Sequence, residues 1–212
     1  MNIHIRHEKD QDFRTVEELT REAFWDVHVS GCDEHYLVHE MRQHPDFIQE
    51  LDFVAELNGK IVGSIMYTKA WLINENQDSR DVLCFGPVSV LPEFQKMGIG
   101  SALIRHSLKI AAEMGHKLIV IYGHPHYYCK LGFVGSKSLN IADTTGKFPY
   151  ALLALELEKG WLKKQSWKIK HSDVYDVDAQ RAMDFDKTFL PKEKGFRSSQ
   201  EEFRIACSAY LE

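Results

Sequence analysis

Two different spacings of apolar residues follow one another along the chain and divide it into strands and helices. Residues 3–6 alternate apolar and polar side chains, which predicts a short opening strand. From Asp10 the apolar positions recur at helical spacing, and a second helix is expected over 34–43, ending before Pro45. The apolar positions of the first helix are Phe13, Val16, Leu19, Ala23 and Phe24.

The pair Asn58-Gly59 lies between two runs that are typical of strands, residues 51–57 and 60–71. Both residues tolerate positive φ, so the pair predicts a tight hairpin. Further strands are expected over 82–91, 117–122 and 150–157, with a helix over 99–114. This order predicts an α/β fold: a mixed, mostly antiparallel sheet with one parallel, right-handed strand–helix–strand unit, flanked by helices.

Beyond Gly160 the strand signals fade. A helix is expected over 178–189, and residues 198–201 match a capping box that would open a final helix. An apolar stripe on that helix must be buried, so it is expected to pack on the main domain or on a second copy of the chain. The stripe consists of Phe203, Cys207, Tyr210 and Leu211. We therefore expect a domain over 1–157 and an extension over 158–212, with a homodimer as one possible assembly.

Composition narrows the class of protein. Of the 212 residues, 26 are Lys or Arg and 31 are Asp or Glu, which gives a formal charge of −5. This balance disfavours a protein that binds nucleic acid through its phosphates, because such affinity needs clustered basic residues. The 4 cysteines form no C-x-x-C pair, residues 1–10 carry no apolar signal core, and no apolar run is long enough for a membrane helix. A soluble cytoplasmic protein with no membrane or nucleic-acid partner is expected.

One pair of histidines has the spacing of metal ligands. His35 and His39 are four residues apart on the predicted second helix. The H-E-x-x-H motif needs a glutamate directly after the first histidine, and Tyr36 stands there instead. No metal site is expected. The pairs Lys163-Lys164 and Lys192-Lys194 are expected to lie on solvated faces.

The stretch with chemical content is CFGPVSVLPEFQKMGIGSALI, residues 84–104. Pro87 cannot donate a ladder hydrogen bond, so the strand must be bulged or unpaired on one side there. Such an edge can pair with an extended ligand that carries amides. The loop ending in Gly98-Ile99-Gly100 leads directly into a helix, whose free N–H groups and dipole suit a pyrophosphate. The alternative is an ordinary core helix after a glycine turn.

Two well-known phosphate loops do not fit this stretch. It contains no G-x-x-x-x-G-K-[ST], which excludes the nucleoside-triphosphate loop. The dinucleotide fingerprint needs a third glycine where Leu103 stands.

Two motifs together resemble a known family. Gln95, Gly98 and Gly100 fit Q/R-x-x-G-x-G/A, and residues 124–133 fit a Y-x-x-x-G-F element in which Tyr128 is the tyrosine. Over residues 3–157 the chain thus resembles the GNAT superfamily of N-acetyltransferases. GPVSVLPEFQKMGIG, GHPHYYCKLGF and ALELEKG resemble, more narrowly, the YhbS-like subgroup of bacterial predicted acetyltransferases.

The resemblance implies a GNAT-like acyl-CoA N-acyltransferase fold with acetyl-CoA as cosubstrate. It assigns Tyr128 as proton donor to the departing thiolate. It implies that Val88 and Val90 pair through their backbones with the pantetheine and the acetyl carbonyl. The residues implied in holding acetyl-CoA are Val88, Ser89, Val90, Gln95, Lys96, Met97, Gly98, Ile99, Gly100 and Ser101.

The general base is less determined. Many relatives carry a glutamate on the fourth strand, where this chain offers Phe85, Gly86 and Ser89. His124 follows the fifth strand and has an unperturbed pKa near neutrality, which makes it a candidate base, although a structural hydrogen bond is the alternative. Glu56 on the second strand is a weaker candidate.

The expected function is acetyl-CoA-dependent N-acetyl transfer to a primary amine of a small molecule or an exposed peptide amine, by direct attack on the thioester. The alternative is a non-catalytic module that binds acyl-CoA as a sensor or docking protein. The resemblance implies that residues 24–47 and 140–150 frame the acceptor. Candidate wall residues are Trp25, His28, Asp33 and His35.

Overall fold

A computed structural model describes residues 3–162 and 165–212, so Lys163-Lys164 lies outside the described residues. The strands are β1 His4–His7, β2 Phe53–Leu57, β3 Lys60–Ile73, β4 Ser79–Val90, β5 Leu118–Tyr122, β6 Val134–Gly135, β7 Ile141–Ala142, β8 Leu152–Glu156 and β9 Trp167–His171. The helices are α1 Phe13–Phe24, α2 Glu34–Met41, α3 Ile99–Glu113, α4 Pro125–Tyr128, α5 Ala179–Asp186 and α6 Ser198–Ser208.

The strands form one mixed sheet, as the sequence predicts. Its order is β1-β2-β3-β4-β5-β8-β6, with β9 pairing β3 and β7. The β4–β5 and β7–β9 pairs are parallel and the other pairs are antiparallel. The β2–β3 hairpin turns at Asn58 and Gly59, whose φ values of 52° and 79° confirm the predicted turn.

Apolar side chains cover both faces of the sheet. The larger core packs α3 on one face, where Ile99, Leu103 and Ile104 are at most 1% exposed. The helix takes this position because its apolar residues fall on one side of the helical wheel. A smaller core covers the opposite face at the β3–β4–β5 region, and β9 contributes Trp167 and Ile169 to it. Helix α3 therefore covers one face, while side chains of β9, itself a strand of the sheet, contribute to the core on the other.

Strand β9 corrects the expectation that strand signals end near Gly160. Trp167 and Ile169 are buried, while Lys168 and Lys170 between them are exposed. The strand pairs with β3 from Ala70↔His171 onward. The period of two is present in the sequence, but the lysines mask it in a search for apolar runs. The extension thus completes the sheet as well as forming helices.

The final helix differs from its prediction in two ways. It begins at Ser198 with Arg197 as N-cap and no side-chain cap hydrogen bond, so the capping box is not formed. Its apolar stripe stays partly open, with Phe203 37% and Tyr210 48% exposed. Phe203 stacks on His28 at 4.4 Å between ring centroids. Helix α5 ends at Asp186, short of the predicted residue 189.

Among the described residues, no helix combines the length and the apolar character needed to cross a membrane.

Candidate functional site

Strand β4 bulges at Gly86-Pro87. Across the β3–β4 pair, Val88 faces Ile65 while Phe85 faces Tyr67, so β4 holds one residue more than β3 at this point. This confirms the bulge that Pro87 predicts, since proline has no N–H for the ladder. The bulge changes the direction of β4 just before the residues expected to meet the ligand.

Beyond the bulge, one edge of β4 is open. The Leu91 N–H donates to the Val62 carbonyl on β3 at 3.0 Å. Because backbone groups alternate between the two edges of a strand, Ser89 also faces β3, and the backbones of Val88 and Val90 face the other way. Strand β5 pairs with β4 at Leu83↔Ile119, before the bulge, and its other edge pairs with β8 along its whole length. Within the described ranges no strand covers this edge.

The α3 N-terminus lies beside the open edge. Gly98 is its N-cap, with φ +87°, a left-handed conformation that glycine adopts without steric cost. The Gln95 side-chain amide donates to the Val90 carbonyl at 3.1 Å, which ties the loop to β4. Within the described residues the amides of 98–101 donate to no acceptor. They are therefore free for an anion, which the helix dipole also favours.

The space around Gly100 is narrow. A Cβ on Gly100 would lie 3.0 Å from the Tyr127 hydroxyl and 3.6 Å from Val90. Tyr127 in turn bonds the Ser101 hydroxyl at 3.1 Å. The absence of a side chain keeps the first turn of α3 accessible from the open edge. Ile99 is 1% exposed, so only its backbone amide is available to a ligand, whereas Lys96 and Met97 are exposed.

Tyr128 lies at the end of α4, facing the larger core. Its ring packs edge to face against Phe133 at 5.6 Å and tilted against Phe85 at 6.0 Å. A Cβ on Gly123 would lie 2.6 Å from Cδ2 of this ring, so the ring position depends on that glycine. Burial raises the pKa of the Tyr128 phenol above its ordinary value, so the phenol is protonated at neutral pH.

His124 is the N-cap of α4. Its carbonyl accepts from the amides of Tyr127 at 2.9 Å and Tyr128 at 3.2 Å, while its side chain is exposed. These bonds position Tyr128, and the role of the imidazole as a base stays a prediction. Glu56 lies at the far end of the sheet, where it accepts from Arg6 at 3.1 Å.

Ser89 is placed differently from its neighbours Val88 and Val90. It is fully buried, and its hydroxyl is 3.0 Å from that of Thr20 on α1. Its backbone faces β3, so neither its side chain nor its main chain lies on the open edge. Its predicted contact with acetyl-CoA is not favoured by this placement.

The prediction that Trp25 and His35 line the acceptor site is wrong, because both are buried. Trp25 is 2% exposed and its indole N–H donates to the Glu193 carbonyl at 2.8 Å. His35 is fully buried, with Nε2 3.1 Å from Asp186. The extension covers both residues, which sequence reasoning on the first 157 residues could not reveal. His28 pairs with Glu34 at 3.0 Å, and Asp33 lines a cavity of about 430 Å³ between the α1–α2 loop and α5.

Two side chains that the sequence reasoning missed also lie near the bulge. The Tyr175 phenol donates to the Gly86 carbonyl at 3.5 Å and accepts from Thr68 Oγ1 at 3.3 Å. His171, at the end of β9, lies 5.2 Å from Tyr122 between ring centroids. Both belong to the segment past residue 157, and the alternation W-K-I-K-H was the signal that could have placed them.

One group of side chains could hold a cation by its spacing. Ligand atoms of His44, Asp46 and Asp173 lie within 4.8 Å of one another. Ion pairing explains the cluster, since His44 lies 3.0 Å from Asp173 and 3.7 Å from Asp46.

Comparisons with known proteins agree with this geometry. Residues 14–133 match the model of the acetyltransferase (GNAT) family. An uncharacterized N-acetyltransferase of Escherichia coli K12, YjhQ, is 37% identical over 83 residues, which cover 39% of this chain and 45% of that protein. A second uncharacterized N-acetyltransferase, from Methanocaldococcus jannaschii, is 32% identical over 87 residues, or 38% of each chain. The chain thus spans less than half the length of these curated relatives.

Two solved structures share the fold. The GNAT family N-acetyltransferase YhbS of Escherichia coli, solved in complex with CoA, superposes with a TM-score of 0.72 at 18% identity, covering 84% of this chain and 93% of that one. A GNAT family acetyltransferase from Brucella melitensis, in complex with acetyl-CoA, superposes with a TM-score of 0.66 at 25% identity, covering 82% of this chain and 99% of that one.

Proposed function

Since this chain belongs to the GNAT acetyltransferase family, we propose that it transfers an acetyl group from acetyl-CoA to a primary amine of a small molecule or an exposed peptide. One observation carries the proposal: the open edge of β4 at Val88 and Val90 lies beside the free amides at the start of α3. The edge suits an extended chain with amides, and the helix start suits a pyrophosphate. Acetyl-CoA carries both groups.

The residues present fit such a ligand. The backbones of Val88 and Val90 would pair with the pantetheine amides as an added strand does. The amides of 98–101 would hold the pyrophosphate, and the missing side chain at Gly100 leaves room for it beside Tyr127. Lys96 and Met97 are exposed at the rim of the loop. The Brucella melitensis relative, solved with acetyl-CoA, supports the same ligand here.

The reaction has two proton problems. An alkyl ammonium with pKa of about 10 must lose a proton before its nitrogen attacks the thioester, and the departing thiolate has a parent thiol pKa of about 8.5. The C–N bond forms, the C–S bond breaks, and one proton moves from nitrogen to sulfur overall. We assign Tyr128 as hydrogen-bond donor to the developing thiolate, because its phenol stays protonated.

Calorimetric titration tests the binding half of this proposal. Acetyl-CoA and CoA are expected to bind and ATP is expected not to bind, because the loop lacks the Lys-Ser/Thr of a triphosphate site. If CoA does not bind, both the transferase and a CoA-binding module are excluded.

Release of free CoA over a panel of amines, polyamines and peptides tests the transfer half. Amine-dependent release supports the transferase. Tight binding without release with any amine would favour the alternative, a non-catalytic acyl-CoA-binding module.

A further inference from the structure

A group of aromatic side chains covers the bulge of β4 on the face opposite α3. Strand β9 places His171 opposite Ala70 of β3, and Ala70 in turn pairs with Val82 of β4. The His171 ring lies 5.2 Å from that of Tyr122 and 6.3 Å from that of Tyr175 between centroids. Since β9 pairs with β3 and β5 pairs with β4, the rings of His171 and Tyr122 meet across β3 and β4.

Tyr175 fixes this group to the bulge. Its phenol donates to the Gly86 carbonyl at 3.5 Å and accepts from Thr68 at 3.3 Å. Burial raises the pKa of Tyr175 well above its ordinary value, so the phenol remains a donor. The His171 ring packs edge to face against Tyr175 at 6.3 Å between centroids, which places it near Gly86, directly before the edge proposed to hold the acyl chain.

His171 has an unused nitrogen. Its Nε2 is buried and has no hydrogen-bond partner among the described residues. A buried polar atom without a partner costs free energy, so such an atom in a stable fold calls for a ligand or a function. Tyr122 beside it is 51% exposed, so this group of rings reaches the surface of the protein.

The aromatic groups in contact with His171 are Tyr122 from β5 and Tyr175 from the turn after β9, and neither is charged at neutral pH. The carboxylate of Asp143, which follows β7, acts on Tyr122. Burial raises the pKa of Tyr122 to about 12. Burial also lowers the pKa of His171 to about 4, so its imidazole is neutral with a free lone pair.

We propose that His171 is the acceptor-side base of the acetyl transfer, its Nε2 accepting the N–H of the incoming amine and taking the proton that the nitrogen loses as the C–N bond forms. This rests on the proposed function. The thioester C–S bond breaks in the same reaction, and the departing sulfur takes a proton on the side of the site where Tyr128 lies. The proton on His171 returns to solvent past Tyr122. The reaction therefore balances: an amine and acetyl-CoA give an amide and CoA.

The exposed ring of Tyr122 beside His171 suits an amine carried on an apolar or aromatic body, since such a body can stack there.

Three variants test this inference in an amine-dependent CoA-release assay. His171→Gln keeps a polar side chain but removes the base, and kcat/KM for the amine is expected to fall roughly 100-fold. His4→Gln, at the exposed far edge of the sheet, is the matched control and keeps wild-type kinetics. His171→Ala is expected to regain activity when imidazole is added, because a free imidazole can occupy the vacated space.

Acetyl-CoA affinity by calorimetry and the thermal unfolding midpoint are measured for each variant. Loss of activity with both quantities unchanged, together with rescue by imidazole, supports the proposal. Wild-type kcat/KM in His171→Gln overturns it, and so does a loss that comes with lost acetyl-CoA binding or that imidazole does not rescue. If the wild-type chain transfers no acetyl group, the proposed function itself is wrong. That outcome is seen without any variant, so it is distinct from a failure of the His171 assignment.

Discussion

The tyrosine proposed to assist the leaving thiolate is held by its contacts rather than by its own hydrogen bonds. Tyr128 packs against Phe85 and Phe133, and the missing side chain of Gly123 leaves room for its ring. The carbonyl of His124 fixes the backbone of Tyr128 through its amide at 3.2 Å. The phenol oxygen is thereby kept in place and free to donate to a substrate.

Tyr128→Phe removes the hydroxyl and keeps the packing of the ring. We expect kcat to fall roughly 100-fold, because a positioned proton or hydrogen-bond donor is lost, while acetyl-CoA affinity is unchanged. Steady-state kinetics and calorimetry measure the two quantities. Tyr36→Phe, which removes a hydroxyl from a buried tyrosine on α2, is the control. Equal kcat in Tyr128→Phe and wild type would refute the assignment.

Gly123→Ala tests the position of the same ring without changing its chemistry. The new Cβ would overlap the Tyr128 ring, and such overpacking costs typically 1–3 kcal/mol, so we expect a destabilised protein of about that magnitude with lowered kcat. Gly195→Ala is the control, since the nearest atom to its Cβ is 3.5 Å away, an ordinary contact. Urea unfolding and kinetics measure both effects. A Gly123→Ala protein as stable and active as Gly195→Ala would contradict the packing described.

At the scale of elements, the start of α3 and the edge of β4 act together. The helix begins at Gly98 in a left-handed conformation, and the other end of α3 is closed by Gly115, whose φ is +90°. Each glycine has a positive φ, which favours glycine, but only Gly98 lies beside the open edge of β4. The two positions are therefore a matched pair for experiment.

Gly98→Ala and Gly115→Ala are each expected to lose roughly 1 kcal/mol of stability, because alanine is strained at positive φ. Only Gly98→Ala is expected to weaken acetyl-CoA binding, by about tenfold or about 1.4 kcal/mol, because the amides of 98–101 shift from their anion-binding positions. Denaturant unfolding and calorimetry measure the pair. An equal acetyl-CoA affinity in both variants would show that the α3 start does not hold the ligand.

The elements that local patterns govern were predictable from sequence, and those that depend on distant pairing were not. The β2–β3 hairpin follows from Asn58-Gly59, and the β4 bulge follows from Pro87, because each is a property of a few adjacent residues. Strand β9 exists because β3 extends past β2 and offers an edge to Trp167–His171. That pairing joins residues about a hundred positions apart in the sequence. The lysines of β9 interrupt its apolar residues, so a search for apolar runs gives no reason to expect a strand there.

The residues of the candidate site also divide into those that local patterns place and those that depend on distant pairing. The amides of 98–101 and Tyr128 lie in contiguous motifs, so their positions at the start of α3 and the end of α4 follow from local sequence, while their roles stay predictions. His171 and Tyr175 reach the β4 bulge only through the pairing of β9 with β3. Trp25 and His35 were expected at an acceptor wall because nothing in the first 157 residues shows that the extension covers them.

At the scale of the whole molecule, charged contacts join the extension to α1, and the pair of Arg21 is more buried than that of Glu22 with Lys192. Arg21, with 5% of its side chain exposed, donates to Asp186 of α5 at 2.6 Å. Asp186 also lies 3.1 Å from the buried His35 of α2. Arg21 thus joins α1 to α5 through this carboxylate, so its loss leaves a buried guanidinium without its partner.

Asp186→Asn is expected to lower the free energy of unfolding by about 2 kcal/mol, because a hydrogen bond to a buried charged group is lost. Asp184→Asn on the same helix is the control: its pair with Lys187 is exposed and is expected to leave stability unchanged. Urea unfolding at neutral pH compares the two. Equal stability of both variants would show that the extension is not anchored through Arg21.

Stability is also expected to depend on pH through His171. The pKa of this imidazole is about 4 in the fold against an ordinary value near 6.5, so between these values the unfolded chain binds a proton that the fold does not. The free energy of unfolding should therefore fall as pH drops from 6.5 to 4, by up to about 1.4 kcal/mol per pH unit from this group. In His171→Gln that contribution disappears. Urea unfolding across this range measures the slopes, and equal slopes in the two proteins would mean that His171 is not buried as described.

The most direct measurement of the central claim is the product itself. Wild-type protein is incubated with acetyl-CoA and a panel of primary amines, and the amines are then analysed by mass spectrometry, with Tyr128→Phe run in parallel. At least one amine is expected to gain a single acetyl group on nitrogen in the wild-type reaction, with much less product in the variant. Acetyl-CoA bound by calorimetry but no acetylated amine in any reaction would contradict the central claim.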